Sequence, residues 1–418
     1  MSYANLFDEL ENGPDRGASL AASHLSDSQR DAVTASTKGK LVVVAGPGSG
    51  KTTVLVERIS YLLLSGAAPA DLLVCTFTRA AAEELQSRLT RGALPYCGTM
   101  HGLAYKMLGG TQWLLKQGLT LIGDEDQLAL LHSLLIDLDL ETELSEKELL
   151  LALQRAQEGA ETAPEYQVLA QAWEAHLEEL GYVDFVMLLK LSLNLPARKR
   201  FPFALTDEAQ DLTPLQLEWL RKHCTDDAHV FLVGDDDQAV YAFRGSAQSV
   251  LADQVSAGAT CIQLQDNWRC RKTIIDHAQQ LIAHNSNRVA LPQTATKPAG
   301  DSMVVRFRDE VQELEALMRY KAKPVVLSRT RQEVERFQAA GLEAYTMHES
   351  KGREWPFVFI SGLEMGVCPH ALGELEEERR LFYVAITRAK DRVVVSVRDR
   401  VGDRGRTSSP FLAEAGLG

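Results

Sequence analysis

The sequence has no hydrophobic run long enough to cross a membrane. Apolar runs such as residues 41–45 are far shorter than the roughly 20 residues that a membrane helix needs. The N-terminal stretch MSYANLFDELENGPDRG is acidic and polar, so it has neither the basic nor the apolar segment of a signal or transit peptide. We therefore expect a cytoplasmic protein without a membrane partner.

Cysteines are few and scattered. The six cysteines stand at positions 75, 97, 224, 261, 270 and 368, and no two of them have the close spacing of metal ligands. We interpret them as reduced thiols that pack as small hydrophobic side chains.

An excess of positive charge is also missing, since the formal net charge is −13 at pH 7. Acidic residues strongly outnumber basic residues between positions 111 and 266, whereas basic residues slightly outnumber acidic ones from 267 to 418. This distribution argues against general affinity for nucleic acids. A bound strand would have to follow a local groove.

The hydrophobic pattern alternates between strands and helices at both ends of the chain. LVVVAG and LLVCTFT predict strands, and each is followed by a predicted helix, as in a parallel sheet with crossover helices. From about residue 103 to 200 the pattern becomes leucine-rich, acidic and helical. Strand patterns return at FALTDEAQD and HVFLVGDDDQ, and later at MVVRF, PVVLS, FVFISGL and RVVVSV.

These patterns predict an α/β protein of two domains, the first interrupted by a helical insertion. The predicted segments are 1–102 for the first part of domain one, 103–200 for the insertion, 201–266 for the second part of domain one, and 267–418 for domain two. The acidic insertion could be a surface for a protein partner, but such a pattern more commonly forms a solvated structural face.

The stretch AGPGSGKT, residues 45–52, predicts a phosphate-binding loop. Its glycines let backbone N–H groups approach phosphate oxygens, Lys51 can reach the β- and γ-phosphates, and the Thr52 hydroxyl can ligate Mg²⁺. The loop follows a valine-rich strand and opens a helix, as this mechanism requires, although Ala45 stands where the pattern has glycine. The expected nucleotide contacts here are Gly46, Gly48, Ser49, Gly50, Lys51, Thr52 and Thr53.

Two acidic residues follow the strand FALT within LTDEAQD, residues 205–211. Asp207 is placed to hold the Mg²⁺ through water, and Glu208 can polarise an attacking water as a general base. Adjacent acids alone are usually a solvated turn. A phosphate loop in the same chain favours the catalytic interpretation.

The stretch VGDDDQAVYAFRG, residues 233–245, combines a polar residue with aromatic ones. Gln238 follows a predicted strand and could contact the γ-phosphate. Tyr241, Phe243 and Arg244 lie just beyond it, and aromatic rings beside an arginine suit single-stranded nucleic acid because its bases stack and its backbone is negatively charged. In isolation, such a Tyr/Phe pair would more often pack against a helix.

These three stretches, in this order, resemble the UvrD/Rep-type DNA helicases of superfamily 1A. Further stretches resemble other motifs of this family: LSDSQRDAV, TFTRAAAEEL, GTMHGL, DNWRC, TMHESKGREWP and EERRLFYVAITRAKDR. Arg79, Met100 and Trp268 stand where the family often has Asn, Phe and Tyr. The resemblance covers nearly the whole chain apart from the helical insertion and the first 24 residues.

The resemblance implies roles for particular residues. Gln29 would read the adenine edge, Trp268 would stack on the adenine, and Glu354 would lie near the ribose. Arg269 would contact the γ-phosphate and Arg388 would be a second arginine finger. The further contacts with single-stranded DNA that it implies are Phe77, Thr99, His101, Arg329, His348 and Ser350, beside Tyr241, Phe243 and Arg244.

The family architecture implies that ATP and Mg²⁺ bind between two RecA-like domains. One domain would supply the loop and the acids, and the other would supply the two arginines. Closure would then move two DNA grips and drive the protein along single-stranded DNA, with 3′→5′ polarity. The helical insertion would be the family's domain 1B. The stretch from Trp268 to Thr346 is too short for a domain 2B, and the short tail after RVVVSV predicts no fused nuclease domain.

Three functions remain open at this level. The first is an ATP-dependent translocase or helicase that acts on single-stranded DNA and on junctions with duplex. The second is a nucleoprotein remodeller that strips bound proteins with little duplex unwinding. The third, an inactive scaffold, is disfavoured by the retention of Lys51, Asp207, Glu208, Gln238, Arg269 and Arg388. An RNA substrate is also open, because stacking pockets accept either sugar.

Overall fold

The computed structural model describes residues 25–89, 92–138, 144–160, 162–197, 199–240, 249–286, 288–371, 373–401 and 404–417. These residues form two compact units. The first holds the described residues of Met1–Val43, Thr52–Gly234 and Tyr241–Ile262, and the second holds those of Val44–Lys51, Asp235–Val240 and Gln263–Gly418. The phosphate-loop segment and the segment before Tyr241 thus group with the second unit.

A six-stranded sheet is built from strands of the first two-thirds of the chain. The strands up to residue 264 are β1 Lys40–Ala45, β2 Leu72–Cys75, β3 Cys97–Gly98, β4 Thr120–Leu121, β5 Tyr182–Val183, β6 Phe201–Thr206, β7 Cys224–Gly234 and β8 Thr260–Leu264. The sheet order is β3-β2-β6-β7-β1-β8. β6 pairs in parallel with both β2 and β7. β4 and β5 form a separate parallel pair.

Helices connect these strands and make up most of the insertion. In the α/β part they span Asp27–Thr34, Lys51–Leu64, Arg79–Arg88, Pro214–His223 and Val250–Ser256; in the insertion they span Met100–Leu108, Gly110–Lys116, Asp124–Asp137, Glu146–Gln157, Pro164–Leu180 and Phe185–Asn194. Capping boxes begin three of them, at Ser26, Ser145 and Thr213, where hydroxyls satisfy backbone N–H groups that the helix leaves open. No helix in the described ranges is long and apolar enough to cross a membrane.

The core of the insertion is organised around a buried carboxylate. Asp184 begins helix Phe185–Asn194 and accepts a hydrogen bond from the backbone N–H of Met187 at 2.7 Å. The same carboxylate accepts hydrogen bonds from Trp173 Nε1 at 2.9 Å and Gln157 Nε2 at 3.3 Å. Since these donors lie on three different helices, Asp184 fixes how the helices pack around the fully buried Trp173 ring.

A second, five-stranded sheet forms the centre of the second unit. The strands after residue 264 are β9 Asp266–Arg271, β10 Thr294–Lys297, β11 Asp301–Phe307, β12 Val325–Ser328, β13 Ala344–Thr346, β14 Trp355–Ser361, β15 Ala389–Arg398, β16 Arg400–Val401 and β17 Arg404–Gly405. The order β11-β15-β14-β12-β13 is parallel throughout. The helices are Lys272–Ile282, Glu310–Arg319, Arg331–Ala339, Leu375–Ile386 and Pro410–Glu414.

The predicted fold class, α/β with parallel sheets in two RecA-like units, is confirmed. The strands expected at MVVRF, PVVLS, FVFISGL and RVVVSV correspond to β11, β12, β14 and β15. Sequence patterns missed the other strands, namely β3, β4, β5, β8, β9, β10, β13, β16 and β17. Among the described residues, β9 and β10 pair only with each other, in parallel, and β10 has no buried residue, so their polar sequences carry no signal of a buried strand. The finer division into four segments stays a prediction.

We predict that Asp184→Ala strongly destabilises the insertion. The substitution leaves Trp173 Nε1 and the Met187 N–H buried without their acceptor, and it removes one of the two acceptors of Gln157 Nε2, which keeps Glu174 Oε1. This loss costs roughly 2–4 kcal/mol of unfolding free energy. Urea unfolding followed by tryptophan fluorescence measures the loss. Asp137→Ala, at an exposed position in the last turn of helix Asp124–Asp137, is the control and should change the unfolding free energy by less than about 0.5 kcal/mol. Equal midpoints for the two variants would contradict the role of Asp184.

Candidate nucleotide and nucleic-acid site

The phosphate loop has the backbone shape that its glycines predict. Gly48 and Gly50 adopt left-handed conformations, with φ of 71° and 87°, which side chains with a Cβ rarely adopt. Ser49 is buried and its hydroxyl donates to the carbonyl of Gly46 at 2.8 Å. The helix begins at Lys51, so the loop leads into a helix N-terminus, where unpaired N–H groups favour anions.

Within the second unit, strand β9 packs directly on this loop. The backbone N–H of Trp268 donates to the carbonyl of Gly48 at 2.9 Å, and Asn267 Nδ2 donates to the carbonyl of Pro47. The Cβ of Arg269 occupies space that a Cβ at Gly48 would need. Glycine is therefore required at position 48 for two reasons: the left-handed backbone conformation and the close approach of β9.

Arg269 lies in a charged cluster beside the loop. Its Nε is 2.5 Å from Glu354 Oε2, and Lys390 Nζ is 2.5 Å from Glu354 Oε1. Burial alone would raise the pKa of Glu354, but the hydrogen bond from Lys390 and the charge of Arg269 outweigh it and hold that pKa below its usual value. Arg269 Nη1 is buried and has no hydrogen-bond partner among the described residues. The Trp268 side chain beside it is about half exposed.

Gln238 and Arg388 are in direct contact. Arg388 is buried and its Nη2 donates to Gln238 Oε1 at 3.2 Å. Gln238 Nε2 donates to Asp235 Oδ2 at 2.8 Å, and Lys351 Nζ donates to the Gln238 carbonyl at 2.9 Å. Gln238 and Arg388 belong to different sequence motifs, and both are predicted to act at the γ-phosphate. A hydrogen bond joins them within the second unit.

An ion pair that the sequence analysis missed supports the same segment. Arg288 makes a two-pronged contact with the neighbouring Asp237, Nε to Oδ1 at 2.6 Å and Nη2 to Oδ2 at 2.5 Å. The Asp237 side chain is almost fully buried. Removing either partner would leave a buried charge, which is strongly destabilising, so this pair fixes the short turn that carries Gln238.

The acidic pair follows β6 as expected, with an unusual backbone. The Asp207 N–H donates to the carbonyl of Cys75 at 2.9 Å, which extends the pairing of β6 with β2. Glu208 has a φ of 47°, and no other non-glycine residue in the described ranges has a positive φ. Such strain is typical of functional sites. Gln210 Nε2 donates to Glu208 Oε2 at 2.6 Å and orients this carboxylate.

A cavity of about 930 Å³ in the first unit joins these acids to predicted DNA contacts. Its lining includes five residues that the sequence analysis selected, namely Phe77, Thr99, His101, Asp207 and Glu208. The insertion contributes further lining residues, including Lys147, Gln154 and Glu158. The volume falls in the range of ligand pockets. The insertion and the α/β part of the first unit therefore line this cavity together.

The three predicted DNA contacts in this cavity differ in how they can act. Phe77 is exposed, which leaves its ring able to stack. Thr99 caps helix Met100–Leu108 by accepting from Gly102 N at 3.2 Å. Burial lowers the pKa of His101 to about 4, and its ring packs edge-on against Phe185. His101 is therefore neutral at pH 7 and would offer hydrogen bonds, not charge.

Other predicted residues are engaged inside the protein. Arg329 donates to the buried carboxylate of Glu378, with Nη2 at 2.7 Å from Oε1. Ser350 is fully buried and donates to the carbonyl of Met347 at 2.6 Å. His348 is half-buried in the same turn. Gln29 Oε1 accepts from the backbone N–H of Ser26 at 3.0 Å as part of a capping box. Their proposed ligand contacts stay predictions.

Tyr241, Phe243 and Arg244 lie outside the described residues. Thr52 and Thr53 lie in the first turn of helix Lys51–Leu64.

The six cysteines form no disulfide, and burial raises the pKa of the Cys97 and Cys224 thiols to about 11. These thiols are protonated at neutral pH, as expected for packed side chains.

The features of the phosphate loop fit a nucleoside triphosphate. The glycine loop leaves no room for a Cβ at Gly48, and its N–H groups precede a helix N-terminus. Arg269, whose Cβ lies against Gly48, has a buried Nη1 without an acceptor among the described residues. An anionic ligand with many acceptor oxygens would satisfy all three features. No group of three or more His, Cys, Asp or Glu side chains that could hold a metal occurs among the described residues. Mg²⁺ does not require such a group, since it usually binds through one or two protein ligands together with phosphates and water.

Glu158 links the insertion to the segment after the acids. Thr213 Oγ1 donates to Glu158 Oε2, and Leu215 N donates to the Glu158 carbonyl at 3.1 Å. Burial raises the pKa of Glu158 to about 7, although the hydrogen bond from Thr213 lowers it. No sequence pattern pointed to this residue, because the contact joins positions 55 residues apart.

Two parallel α/β units, with a glycine loop that opens a helix, define a RecA-like phosphate-loop protein. Residues 25–256 match the UvrD/REP helicase N-terminal domain, and residues 320–400 match the UvrD-like helicase C-terminal domain. The chain belongs to the UvrD/REP helicase family, and the resemblance to UvrD/Rep-type helicases of superfamily 1A is confirmed.

Several named relatives share a large part of the sequence. The chain is 34% identical to DNA helicase II of Escherichia coli (strain K12) over 299 residues, which cover 63% of this chain and 41% of the relative. It is 30% identical to DNA helicase II of Haemophilus influenzae over 302 residues, with the same two shares. It is 27% identical to the ATP-dependent DNA helicase PcrA of Staphylococcus aureus over 298 residues, or 64% of this chain and 41% of the relative. The chain thus matches about two-fifths of the length of these relatives.

We predict that Glu158 makes stability depend on pH. A carboxyl whose pKa rises from 4.5 to about 7 on folding holds its proton in the folded state while the unfolded state releases it. Stability therefore falls as pH rises between these values. Glu158→Gln imitates the protonated form and should be more stable than the wild type at pH 8 by about 1–3 kcal/mol, with little difference at pH 5. Urea unfolding at both pH values tests this; a difference that does not change with pH would contradict the raised pKa.

Proposed function

We propose that this protein is an ATP-driven motor that translocates on single-stranded DNA with 3′→5′ polarity and can act as a helicase. The observation that carries the proposal is the contact of the phosphate loop with β9, which brings Gly48 and Arg269 together within one unit. A loop that binds phosphates and an arginine that can neutralise them are the central parts of a nucleotide-hydrolysing site. The relatives are named DNA helicases, which supports DNA as the polymer.

The described residues supply each element of hydrolysis in this proposal. The loop N–H groups and Lys51 bind the β- and γ-phosphates, and Glu208 orients the attacking water and accepts its proton. Arg269 and Arg388 stabilise the charge that develops on the transferring phosphoryl group. Gln238 bonds to Arg388, so it can transmit the presence of the γ-phosphate to that arginine.

Thr52 and Asp207 would hold Mg²⁺, which when bound neutralises charge on the β- and γ-oxygens. Asp207 stands at the end of β6, where its carboxylate can reach the ion through water. Trp268 would stack on the adenine, Gln29 would read its edge, and Glu354 would hold Arg269 in place as well as lie near the ribose. The ion pair of Glu354 with Arg269 is the geometric basis of the first of these two roles of Glu354, and the ribose contact rests on the family resemblance alone.

We infer that single-stranded DNA binds in the cavity of the first unit and affects nucleotide hydrolysis from there. It is shared by Phe77, which can stack on a base, and by Asp207 and Glu208, which act on the nucleotide. A base bound there would lie in the same cavity as the catalytic acids. This shared lining offers a physical reason for hydrolysis to respond to DNA.

Nucleoprotein remodelling is the second candidate function. The described residues between Trp268 and Thr346 form β10 to β13 and three helices, with no separate helical insertion. The family's domain 2B would be inserted there, so duplex separation has less structural support than translocation. Unwinding of a naked forked duplex, compared with displacement of streptavidin from biotinylated single-stranded DNA, separates the two functions.

We predict that the purified chain hydrolyses ATP and that single-stranded DNA of about 40 bases strongly stimulates this hydrolysis. Lys51→Ala should abolish the activity, since it removes the cation that reaches the phosphates, while the thermal unfolding temperature is unchanged. The control is Lys38→Ala, at an exposed position before β1. Steady-state phosphate release gives the readout. Hydrolysis that DNA does not affect would overturn DNA as the activating polymer.

We predict that Arg388→Ala lowers kcat by roughly 10³-fold, as the loss of an arginine finger does, with little effect on DNA affinity. Arg388→Lys should rescue only a small part, because lysine keeps the charge but loses the planar fork. Arg319→Ala, at an exposed position, is the control. A variant with normal kcat and weaker DNA binding would show that Arg388 acts on DNA and not on the nucleotide.

A further inference from the structure

Gln293 lies at the phosphate loop although it belongs to none of the motifs in the sequence. It immediately precedes β10, which pairs in parallel with β9 so that Ala295 lies opposite Asn267. The carbonyl of Gln293 accepts a hydrogen bond from Gln279 Nε2 at 2.5 Å, from helix Lys272–Ile282. These contacts fix the backbone of Gln293 beside the strand that packs on the loop.

The orientation of the Gln293 amide follows from that of Asn267. Asn267 is fully buried, and its Oδ1 accepts from the backbone N–H groups of Arg269 at 3.1 Å and Cys270 at 2.8 Å. Its Nδ2 therefore faces away from them, and it donates to the carbonyl of Pro47 and to Gln293 Oε1, the latter at 3.4 Å. With Oε1 held by Asn267, the Nε2 of Gln293 is the end that faces the loop.

The Gln293 amide meets the loop at its first glycine. Nε2 occupies the space that a Cβ at Gly46 would need, so Gly46 is glycine in part because Gln293 lies there. The same Nε2 is buried and has no hydrogen-bond acceptor in the part of the chain that the structure describes. A buried donor without an acceptor is unfavourable, and at a binding site a ligand can supply the acceptor that the protein lacks.

Two side chains that contact this loop therefore carry a buried donor without an acceptor among the described residues. Arg269 Nη1 is the other one, on the side chain whose Cβ lies against Gly48. Donors around a glycine loop at a helix N-terminus call for an anion with several acceptor oxygens. A polyphosphate has this chemistry, whereas an adenine ring does not.

We propose that Gln293 is a nucleotide-positioning residue that donates a hydrogen bond from Nε2 to the polyphosphate of the bound nucleotide. This assignment rests on the proposed function, since it requires that the loop binds a nucleoside triphosphate. Asn267 sets the direction of the donor, and β10 sets its distance from the loop. Gln293 thereby adds a neutral contact to the charged ones of Lys51 and Arg269.

Nucleotide affinity in the absence of DNA tests the proposal without a catalytic readout. Gln293→Met keeps the length of the side chain but removes the donor, and it should weaken ATPγS binding about tenfold or more, since hydrogen bonds to charged groups are the stronger ones. AMP binding should stay at the wild-type level because AMP lacks the polyphosphate. Titration of a fluorescent ATPγS analogue, with competition by unlabelled ATPγS and AMP, measures both.

Gln263→Ala is the matched control. Gln263 Nε2 donates to the carbonyl of Ala290 at 3.0 Å, in the segment between helix Lys272–Ile282 and β10. The variant therefore removes a glutamine contact to the segment that carries Gln293 but none to the phosphate loop. It should bind ATPγS like the wild type. Gln293→Ala, which leaves space for water, should repeat the loss seen with Gln293→Met. Thermal unfolding without nucleotide checks that all three variants are folded, and Gln293→Met should be no less stable than the wild type because it removes a buried donor that has no acceptor among the described residues.

The outcomes separate this inference from the function on which it rests. Wild-type ATPγS affinity in Gln293→Met overturns the role of Gln293 and leaves the proposed function standing. An equal loss of ATPγS and AMP affinity also overturns it, because Gln293 would then only maintain the shape of the site. A wild-type protein that binds no ATPγS would overturn the proposed function and the assignment together.

Discussion

The left-handed backbone of the phosphate loop, held against β9, is the constraint on which the rest of the site depends. Gly48 and Gly50 supply conformations that other residues rarely adopt, and the Trp268 N–H bonds to the Gly48 carbonyl. Because β9 approaches so closely, Trp268 and Arg269 reach the loop through their position in the chain and not through long, flexible side chains. Any side chain at position 48 would displace β9 and both residues with it.

Buried polar groups hold the remaining functional residues in place. Gln238 is fixed by Asp235, Lys351 and Arg388, and Glu208 is fixed by a strained backbone and by Gln210. Such groups are costly to bury unless they are bonded, so each network accepts few alternative arrangements. That rigidity suits the proposed contact of Gln238 and Arg388 with a single phosphate. The insertion is joined to the segment after the acids through Glu158 and Thr213, within the first unit.

The sequence predicted the parts of the site in which chemistry dictates residue type at a fixed spacing. The glycine loop, Lys51 and the acids after β6 could be recognised in this way, as could the long buried strands of both sheets. Contacts between distant positions could not, because they depend on how the chain folds. Glu158 with Thr213, Asp237 with Arg288 and Gln293 with Gly46 are such cases. The roles of Arg329 and Ser350 at DNA remain predictions, and the structure adds that both side chains bond within the protein.

We propose above all that ATP hydrolysis moves this protein along single-stranded DNA. The most direct measurement is a stopped-flow experiment in which the protein, prebound to oligonucleotides of increasing length with a fluorophore at the 5′ end, receives ATP together with a trap for free protein. We predict that the time of arrival at the fluorophore increases linearly with length, and that the arrival signal is absent when the fluorophore is at the 3′ end. An arrival time that does not depend on length would contradict translocation.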